Sequence, residues 1–182
     1  VIDSGSVFLW EPSKGSFISG HNKFPLQPYS VGKYVVGFGS DVQPMLNYST
    51  ILGGRENTIG DVEDLAAQDA ASVIVGGEHN TIVDGFSVVL GGISHYLKGA
   101  YSVVIGGESH DVVGDYNVVV GGLNHRISLS KYSMVFGDSH QVDSDKSVLM
   151  GQSHIVGQHA GSSVLLGKDV VAQNSNTVMY SD

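Results

Sequence analysis

The stretch YSVVIGGESHDVVGDYNVVVGGLNH, residues 101–125, contains the same pattern twice. A tyrosine, a small polar residue and three aliphatic residues precede Gly106-Gly107, and the same order precedes Gly121-Gly122 fifteen residues later. A histidine follows each glycine pair at the same offset, at His110 and His125. A fixed period of this kind indicates a fold built by stacking one repeated unit.

The repeat continues through most of the 182-residue chain. Its period can be followed on the first glycine after each aliphatic run: Gly20, Gly37, Gly53, Gly76, Gly91, Gly106, Gly121, Gly137, Gly151 and Gly167. The intervals lie between 14 and 17 residues, apart from one of 23. Val and Ile dominate and no helical period is present, so each unit predicts two short strands and two turns. We therefore expect an all-β solenoid with coils of about 15 residues, each rising about 4.8 Å.

The two predicted strands of a coil differ in polarity. The first, SVVIG at 102–106, is apolar at consecutive positions, which indicates burial on both faces. The second, HDVVG at 110–114, mixes polar and apolar residues, so one of its faces contacts water. Charged residues make up only 15% of the chain, against about 25% in an average soluble domain. A thin two-layer roll cannot bury both faces of a strand, so we expect three copies to pack with these strands inward.

The unit SVVIGGESHDVVG resembles the head repeat of trimeric autotransporter adhesins, the YadA-like head. The resemblance covers residues 45–175 well and residues 16–44 loosely, and it implies a left-handed parallel β-roll assembled as a homotrimer. The chain departs from that family in its doubled glycine, in the histidine at a Ser or Asn position, and in its larger aliphatic residues. Similar rolls occur in bacteriophage tail fibres and tailspikes.

The C-terminal residues NTVMYSD resemble the junction at which an endosialidase-type intramolecular chaperone begins. That resemblance implies a chaperone that trimerises the fibre and then cuts itself off between Ser181 and Asp182. A chain boundary unrelated to processing is the other interpretation of these two residues.

Two segments interrupt the repeat. Residues 1–30 carry Trp10 and three of the four prolines, and proline cannot donate to a strand ladder. We interpret 1–30 as an irregular N-terminal cap or a connection to an upstream shaft, and 31–182 as the roll. The interval of 23 residues predicts an insertion near 60–70, an acidic surface loop that is either a binding protrusion or tolerated decoration.

Stacked coils place one polar position in a column: Asn57, Asn80, His95, His110, His125, His140 and His154. Histidine is the commonest metal ligand, but metal sites gather ligands around one point rather than along a line. Because asparagine shares the column, we expect a hydrogen-bonding role at the turn. Stacked histidines resist joint protonation, which predicts a loss of stability below about pH 5–6.

A second column is aromatic: Tyr48, Phe86, Tyr101, Tyr116 and Tyr132. We expect these rings to stack from coil to coil and stiffen one edge of the rod. The alternative role is a platform for sugar rings. The glycine pairs lack the residues of a phosphate loop or of a calcium-binding repeat, and we interpret them as turn residues.

Composition excludes several kinds of site. The chain has no cysteine, so it has neither disulfides nor thiolate metal sites. Its net charge of −9 argues against binding to nucleic acid or to an anionic membrane, and no apolar run reaches the length of a membrane span. The carboxylates Glu78, Glu108, Asp111 and Asp138 do not recur in one obvious cleft, so we expect no catalytic site, no metal and no cofactor.

The combined interpretation is a trimeric adhesin of a bacteriophage tail fibre, located in the virion tail and binding a host polysaccharide or outer-membrane protein. Three rigid copies would compensate for weak single sites. The candidate receptor-binding residues are Trp10, Asp61, Glu63, Asp64, Tyr101, Tyr116 and Tyr132. The head of a bacterial trimeric autotransporter on a cell surface is the alternative, and a polysaccharide-degrading tailspike is the third hypothesis.

Overall fold

The computed structural model describes residues 5–23, 31–61 and 71–181. These residues form a solenoid of about ten stacked turns, and they contain strands and turns but no helix. Between residues 36 and 172 each turn contributes one strand to each of two facing sheets. The predicted all-β solenoid is therefore confirmed.

The larger sheet has twelve strands and is called the twelve-stranded sheet below. In spatial order its strands are β1 (Gly5–Glu11), β2 (Ser16–Asn22), β3 (Val36–Ser40), β5 (Thr50–Arg55), β7 (Val73–Ile74), β9 (Val88–Val89), β11 (Val103–Ile105), β13 (Val118–Val120), β15 (Met134–Asp138), β17 (Val148–Gln152), β19 (Val164–Lys168) and β21 (Val178–Tyr180).

The nine-stranded sheet faces it. In spatial order its strands are β4 (Gln43–Pro44), β6 (Thr58–Ile59), β8 (Thr81–Ile82), β10 (Tyr96–Lys98), β12 (Asp111–Val113), β14 (Arg126–Ser128), β16 (Gln141–Val142), β18 (Ile155–Val156) and β20 (Val171–Ala172).

Pairing between turns is parallel, and equivalent residues of the repeat lie on top of one another. Val104, for example, pairs with Val89 on one side and with Val119 on the other. The exception is an antiparallel hairpin of β1 and β2, in which β2 also pairs in parallel with β3. This hairpin is the described part of segment 1–30.

The core is one side chain deep in each sheet. From β3 to β20 the second residue of each strand is buried, as at Val104 in β11 and Val112 in β12. Burying a side chain of this size contributes about 1.5–3 kcal/mol. Because the same position is aliphatic in successive coils, the core forms a continuous apolar column along the rod.

The outer surfaces of the two sheets differ. On the twelve-stranded sheet most residues that flank a buried residue are also apolar, and several are 38–80% exposed. We define the apolar face by these exposed side chains: Phe8, Trp10, Phe38, Leu52, Val75, Leu90, Ile105, Met134, Met150, Leu166, Val178 and Tyr180. The outer surface of the nine-stranded sheet is mixed, with exposed polar residues such as Lys98, Asp111 and Arg126. The predicted wet face of the second strand is confirmed.

In each glycine pair the second glycine, and not the first, stacks on a glycine of the next coil. The period of the repeat is therefore correctly counted on the second glycine, whereas the sequence analysis counted it on the first. Gly122 lies against the backbone carbonyl of Gly137, which belongs to a coil with a single glycine. The first glycine, such as Gly121, is an extra residue in the turn. In coils with a glycine pair the histidine follows the small polar residue by eight positions, as from Ser102 to His110. In coils with a single glycine it follows by seven, as from Ser133 to His140.

The two flanks of the insertion are bonded to the coil that follows it. The N–H of Gly60 donates to the carbonyl of Ile82 at 2.7 Å, and the N–H of Thr50 donates to the carbonyl of Ser72 at 2.9 Å. Both flanks of the insertion are therefore in register with the next coils. Residues 62–70 lie outside the described residues.

Candidate functional site

The predicted polar column forms a buried ladder, called the histidine ladder below. Its members are Asn57, Asn80, His95, His110, His125, His140 and His154, all fully buried. The five imidazole rings stack with centroid separations of 4.6–5.0 Å. The ladder closes one edge of the aliphatic core.

Each ladder side chain accepts a hydrogen bond from the backbone of the next coil. The N–H of His125 donates to Nδ1 of His110 at 3.3 Å, and the N–H of His95 donates to Oδ1 of Asn80 at 3.1 Å. Asparagine and histidine thus supply the same acceptor, because an unpaired buried N–H costs free energy. The predicted turn role of this column is confirmed.

These hydrogen bonds fix the protonation state of the rings. Since Nδ1 accepts, the ring proton is on Nε2 and the imidazole is neutral. Nε2 of His140 lies 2.9 Å from the Phe136 carbonyl, whereas the buried Nε2 atoms of His95, His110 and His125 have no hydrogen-bond partner among the described residues.

Burial disfavours the charged form and lowers the pKa of four ladder histidines to about 4, at His95, His110, His125 and His140. For His110 and His125 the charge of a stacked neighbour lowers the pKa further. These four rings are therefore neutral at physiological pH.

The ladder is not arranged as a metal site. Its rings form a line, and each Nδ1 already accepts a backbone N–H. Within residues 5–23, 31–61 and 71–181, no group of three or more His, Asp or Glu side chains is placed to hold a metal ion.

The two glycines of a pair have separate roles, which a matched pair of substitutions tests. A Cβ on Gly107 would lie 2.3 Å from Nε2 of His110, at φ +93°, whereas a Cβ on Gly106 would meet no atom within 4 Å, at φ +66°. We expect Gly107→Ala to destabilise the fold by about 3 kcal/mol or more, and Gly106→Ala by only about 1 kcal/mol. Thermal unfolding of both variants measures the difference. Equal losses of stability would contradict this assignment.

A second polar ladder closes the other edge of the core. The hydroxyl of Ser87 accepts the N–H of Ser102 at 3.1 Å, and Oδ1 of Asn117 accepts the N–H of Ser133 at 3.0 Å. The small polar residue that opens each repeat is visible in the sequence, but its role as an acceptor between coils was not predicted. The two polar ladders and the aliphatic column together define the coil.

The predicted aromatic column is a stacked ladder on the surface. Phe86, Tyr101, Tyr116 and Tyr132 stack in sequence, with centroid separations of 4.9–5.1 Å and nearly parallel rings. Their exposure is 44–56%, so one side of the row faces solvent. The predicted stacking of these four rings is confirmed.

Tyr48 belongs to a separate stack. Its ring lies 5.3 Å from that of Tyr34, which the sequence analysis did not identify. The exposed Ala71 precedes Ser72 at the corresponding position of the next coil and separates the two stacks. In the sequence the acidic insertion comes immediately before Ala71.

Trp10 and Asp61, two further predicted receptor-binding residues, lie apart from the aromatic ladder. Trp10 is 56% exposed on β1 and belongs to the apolar face, together with Phe8. Asp61 follows Gly60 at the start of the insertion and is partly buried. Glu63 and Asp64 lie outside the described residues.

The predicted processing junction lies at the end of the last turn. The N–H of Ser181 donates to the Leu166 carbonyl at 3.1 Å, and its hydroxyl accepts the N–H of Lys168 at 2.7 Å. Ser181 is therefore bonded into the solenoid. Asp182 lies outside the described residues.

The four acidic residues considered for catalysis have different surroundings. Glu78 forms an ion pair with Arg55. Asp138 accepts the backbone N–H of Leu123 at 3.0 Å. Glu78 and Glu108 lie two coils apart, because Ile93 of the intervening coil pairs with both of them through single β-bridges.

A groove on the nine-stranded sheet was missed by the sequence analysis. It has a volume of about 640 Å³, and its lining includes Arg126, Leu129, Gln141, Asp143, Gln158 and His159. The sequence carries a signal for this groove in the spacing between each ladder histidine and the small polar residue that opens the next repeat. This spacing is eight positions after His125 and nine after His154, but only seven after His140. Longer turns on either side of a short one leave a groove between them.

In the described part of the chain, the structure has no helix long and apolar enough to cross a membrane. Comparison with protein families and with curated proteins found no family model and no curated protein that matches this chain.

Proposed function

We propose that this chain is a receptor-binding segment of a bacteriophage tail fibre, in which three copies form a left-handed trimeric β-roll. Its role is adhesion of the virion tail to a host-surface polysaccharide or outer-membrane protein. Removal of a C-terminal chaperone between Ser181 and Asp182 is part of this proposal and rests on the resemblance of the last residues to such a junction.

The apolar face is the observation that carries the proposal. It runs from the hairpin to the last turn, and Leu52, Leu90 and Ile105 in successive regions of the rod are 40–50% exposed in a single chain. Continuous apolar patches of this extent mark association surfaces. Copies of the same chain offer a matching apolar face of the same length, and three of them can shield these faces around a common axis.

Packing through the twelve-stranded sheet leaves the polar surface of the nine-stranded sheet toward solvent. The assembly would be a stiff rod with three equivalent outer surfaces, which suits an adhesin because multivalent contact compensates for weak single sites. In this trimer Trp10 and Phe8 belong to the association surface, because they lie on the apolar face.

The aromatic ladder supports a glycan receptor. Tyr101, Tyr116 and Tyr132 present a row of half-exposed rings with separations of about 5 Å. Because the rings stack face to face, the row presents ring edges and tyrosine hydroxyls to solvent, and these can pack against a sugar and form hydrogen bonds with its hydroxyls. A row of such rings offers successive sugar units equivalent contacts.

Binding of the fluorescently labelled protein to a panel of bacterial strains tests this function. We expect it to label a subset of strains, and Tyr101→Ser with Tyr116→Ser to reduce labelling at least fivefold, since each lost tyrosine hydroxyl removes a hydrogen bond that contributes about 0.5–1.5 kcal/mol. Tyr96→Ser is the matched control, because Tyr96 is 40% exposed on the nine-stranded sheet and outside the ladder. A wild-type protein that labels no strain would contradict the adhesive function.

A further inference from the structure

The groove on the nine-stranded sheet is a concave site assembled from three consecutive coils. One wall is the turn after β14, the opposite wall is the turn after β18, and the floor is β16 with the shorter turn that follows it. Its volume of about 640 Å³ lies within the range of about 300–1,000 Å³ that is usual for small-ligand pockets.

Hydrogen bonds hold the wall after β18 in place. The Ala160 N–H donates to the Gly157 carbonyl at 2.9 Å, and Ala160 itself is fully buried. The hydroxyl of Ser175 donates to the His159 carbonyl at 2.7 Å from the following turn. The exposed side chains of Gln158 and His159 therefore project from a fixed backbone, which favours binding without reorganisation.

The opposite wall carries Leu129, which is 81% exposed. Its φ of +56° is the left-handed region, which disfavours a side chain with a Cβ. The neighbouring Ser130 stacks against Gly114 of the preceding coil, so the longer turn has an additional residue at Leu129. Left-handed φ values recur at other turn residues of the rod, such as Tyr101 and Asn124. The feature specific to Leu129 is an inserted, exposed apolar side chain at the rim of a groove, where it can contact a ligand.

The floor supplies polar groups suited to hydroxyls. Nε2 of Gln141 donates to Asp143 at 2.6 Å, and Nε of Arg126 donates to Ser128 at 3.3 Å. These bonds orient the Asp143 carboxylate on the floor and the Arg126 guanidinium beside it on β14. Donors and acceptors thus alternate beside one apolar side chain.

We propose that this groove binds a neutral pyranose oligosaccharide. Leu129 contacts the apolar face of a sugar ring, Asp143 accepts hydrogen bonds from hydroxyls, and Arg126 and Gln158 donate to ring or hydroxyl oxygens. The groove carries acidic and basic groups together, and the chain has a net charge of −9, so a polyanionic glycan is disfavoured.

The groove is adjacent to the C-terminal end of the aromatic ladder. Asp145, which lines the groove, accepts the N–H of Lys131 at 2.8 Å, and Lys131 precedes Tyr132. One oligosaccharide can therefore contact the groove and the last ring of the ladder. This inference rests on the proposed adhesive function and names a site for it on the surface that stays exposed in the proposed trimer.

Titration of the ¹⁵N-labelled protein with maltohexaose, cellohexaose, mannohexaose and hexagalacturonate tests the proposal. We expect at least one neutral hexasaccharide to shift the amide signals of residues 126–129, 141–145 and 157–160, and the acidic one to shift them less. No shift in these segments with any neutral hexasaccharide, or a stronger response to hexagalacturonate, would overturn the proposal.

The variant Leu129→Gly separates binding from folding. We expect its melting temperature to be equal to or above that of the wild type, because glycine tolerates the φ of this position, and its Kd for the responsive hexasaccharide to rise at least fivefold. Leu123→Gly is the control, since Leu123 is 46% exposed and outside the groove. An unchanged Kd for Leu129→Gly overturns the groove assignment.

The two proposals fail separately. Loss of the groove response alone leaves labelling of bacterial cells through the aromatic ladder intact. Absence of cell labelling by the wild-type protein contradicts the adhesive function, whether or not a hexasaccharide enters the groove.

Discussion

The melting temperature of the protein is expected to fall by more than about 10 °C when the pH is lowered from about 7.5 to about 5. The cause is the histidine ladder. His95, His110, His125 and His140 are buried and neutral, with pKa values lowered to about 4. In the unfolded chain a histidine has a pKa of about 6.5.

The direction follows from the two pKa values. Above about pH 6.5 both states are neutral and the ladder contributes its full stability. As the pH falls from about 6.5 toward 4, the unfolded chain binds protons that the folded protein does not, so each histidine loses about 1.4 kcal/mol of stability per pH unit. At pH 5 the loss of stability is about 2 kcal/mol for each of the four residues. The sum over the four residues is the largest loss expected, and it applies when they titrate independently.

Substitution by asparagine provides the control, because Asn57 and Asn80 already serve in the same ladder. The fourfold variant with asparagine at positions 95, 110, 125 and 140 is expected to keep the fold and to lose most of the dependence on pH between about 7.5 and 5. Differential scanning calorimetry at both pH values measures the effect. A wild-type melting temperature that does not change over this interval contradicts the account of the ladder.

The second large effect is expected on assembly, from Ile105→Lys on the apolar face. Ile105 is 40% exposed in a single chain, so a lysine there does not disturb the core of the coil. In the proposed trimer the same position is buried against sister chains, where an unpaired ammonium is strongly unfavourable. We expect the variant to be folded and monomeric at concentrations at which the wild-type protein is trimeric.

Ile155→Lys is the matched control for this substitution. Ile155 has the same exposure of 40% but lies on the nine-stranded sheet, so this variant is expected to remain trimeric. Circular dichroism verifies that both variants are folded, and light scattering gives their masses. If Ile105→Lys remains trimeric, or if both variants dissociate equally, the apolar face is not the association surface.

The fold was predictable because each coil must offer the next an equivalent strand edge. The fifteen-residue period identified the solenoid, and the shared use of asparagine and histidine identified the hydrogen-bonding role that His125 and Asn80 have in the structure. The stacking of Tyr101 on Tyr116 followed from the same register. Features that recur in every coil could be predicted, because stacking places each residue beside its equivalent in the next coil.

Features that depend on single departures from the repeat were not predicted. The stacking glycine was misassigned because Gly106 and Gly107 are equivalent in sequence and differ only in what a Cβ would contact. The groove was missed because it depends on one extra residue at Leu129 and two near His159, which shift the chain outward without changing the pattern of the strands. Tyr34 was missed because the repeat is less regular before residue 45.

Sedimentation equilibrium of the wild-type protein at neutral pH tests the central claim most directly, which is that the apolar face associates copies of the chain. The proposal predicts a single species with three times the chain mass of 19.1 kDa. A single species with the mass of one chain would contradict it.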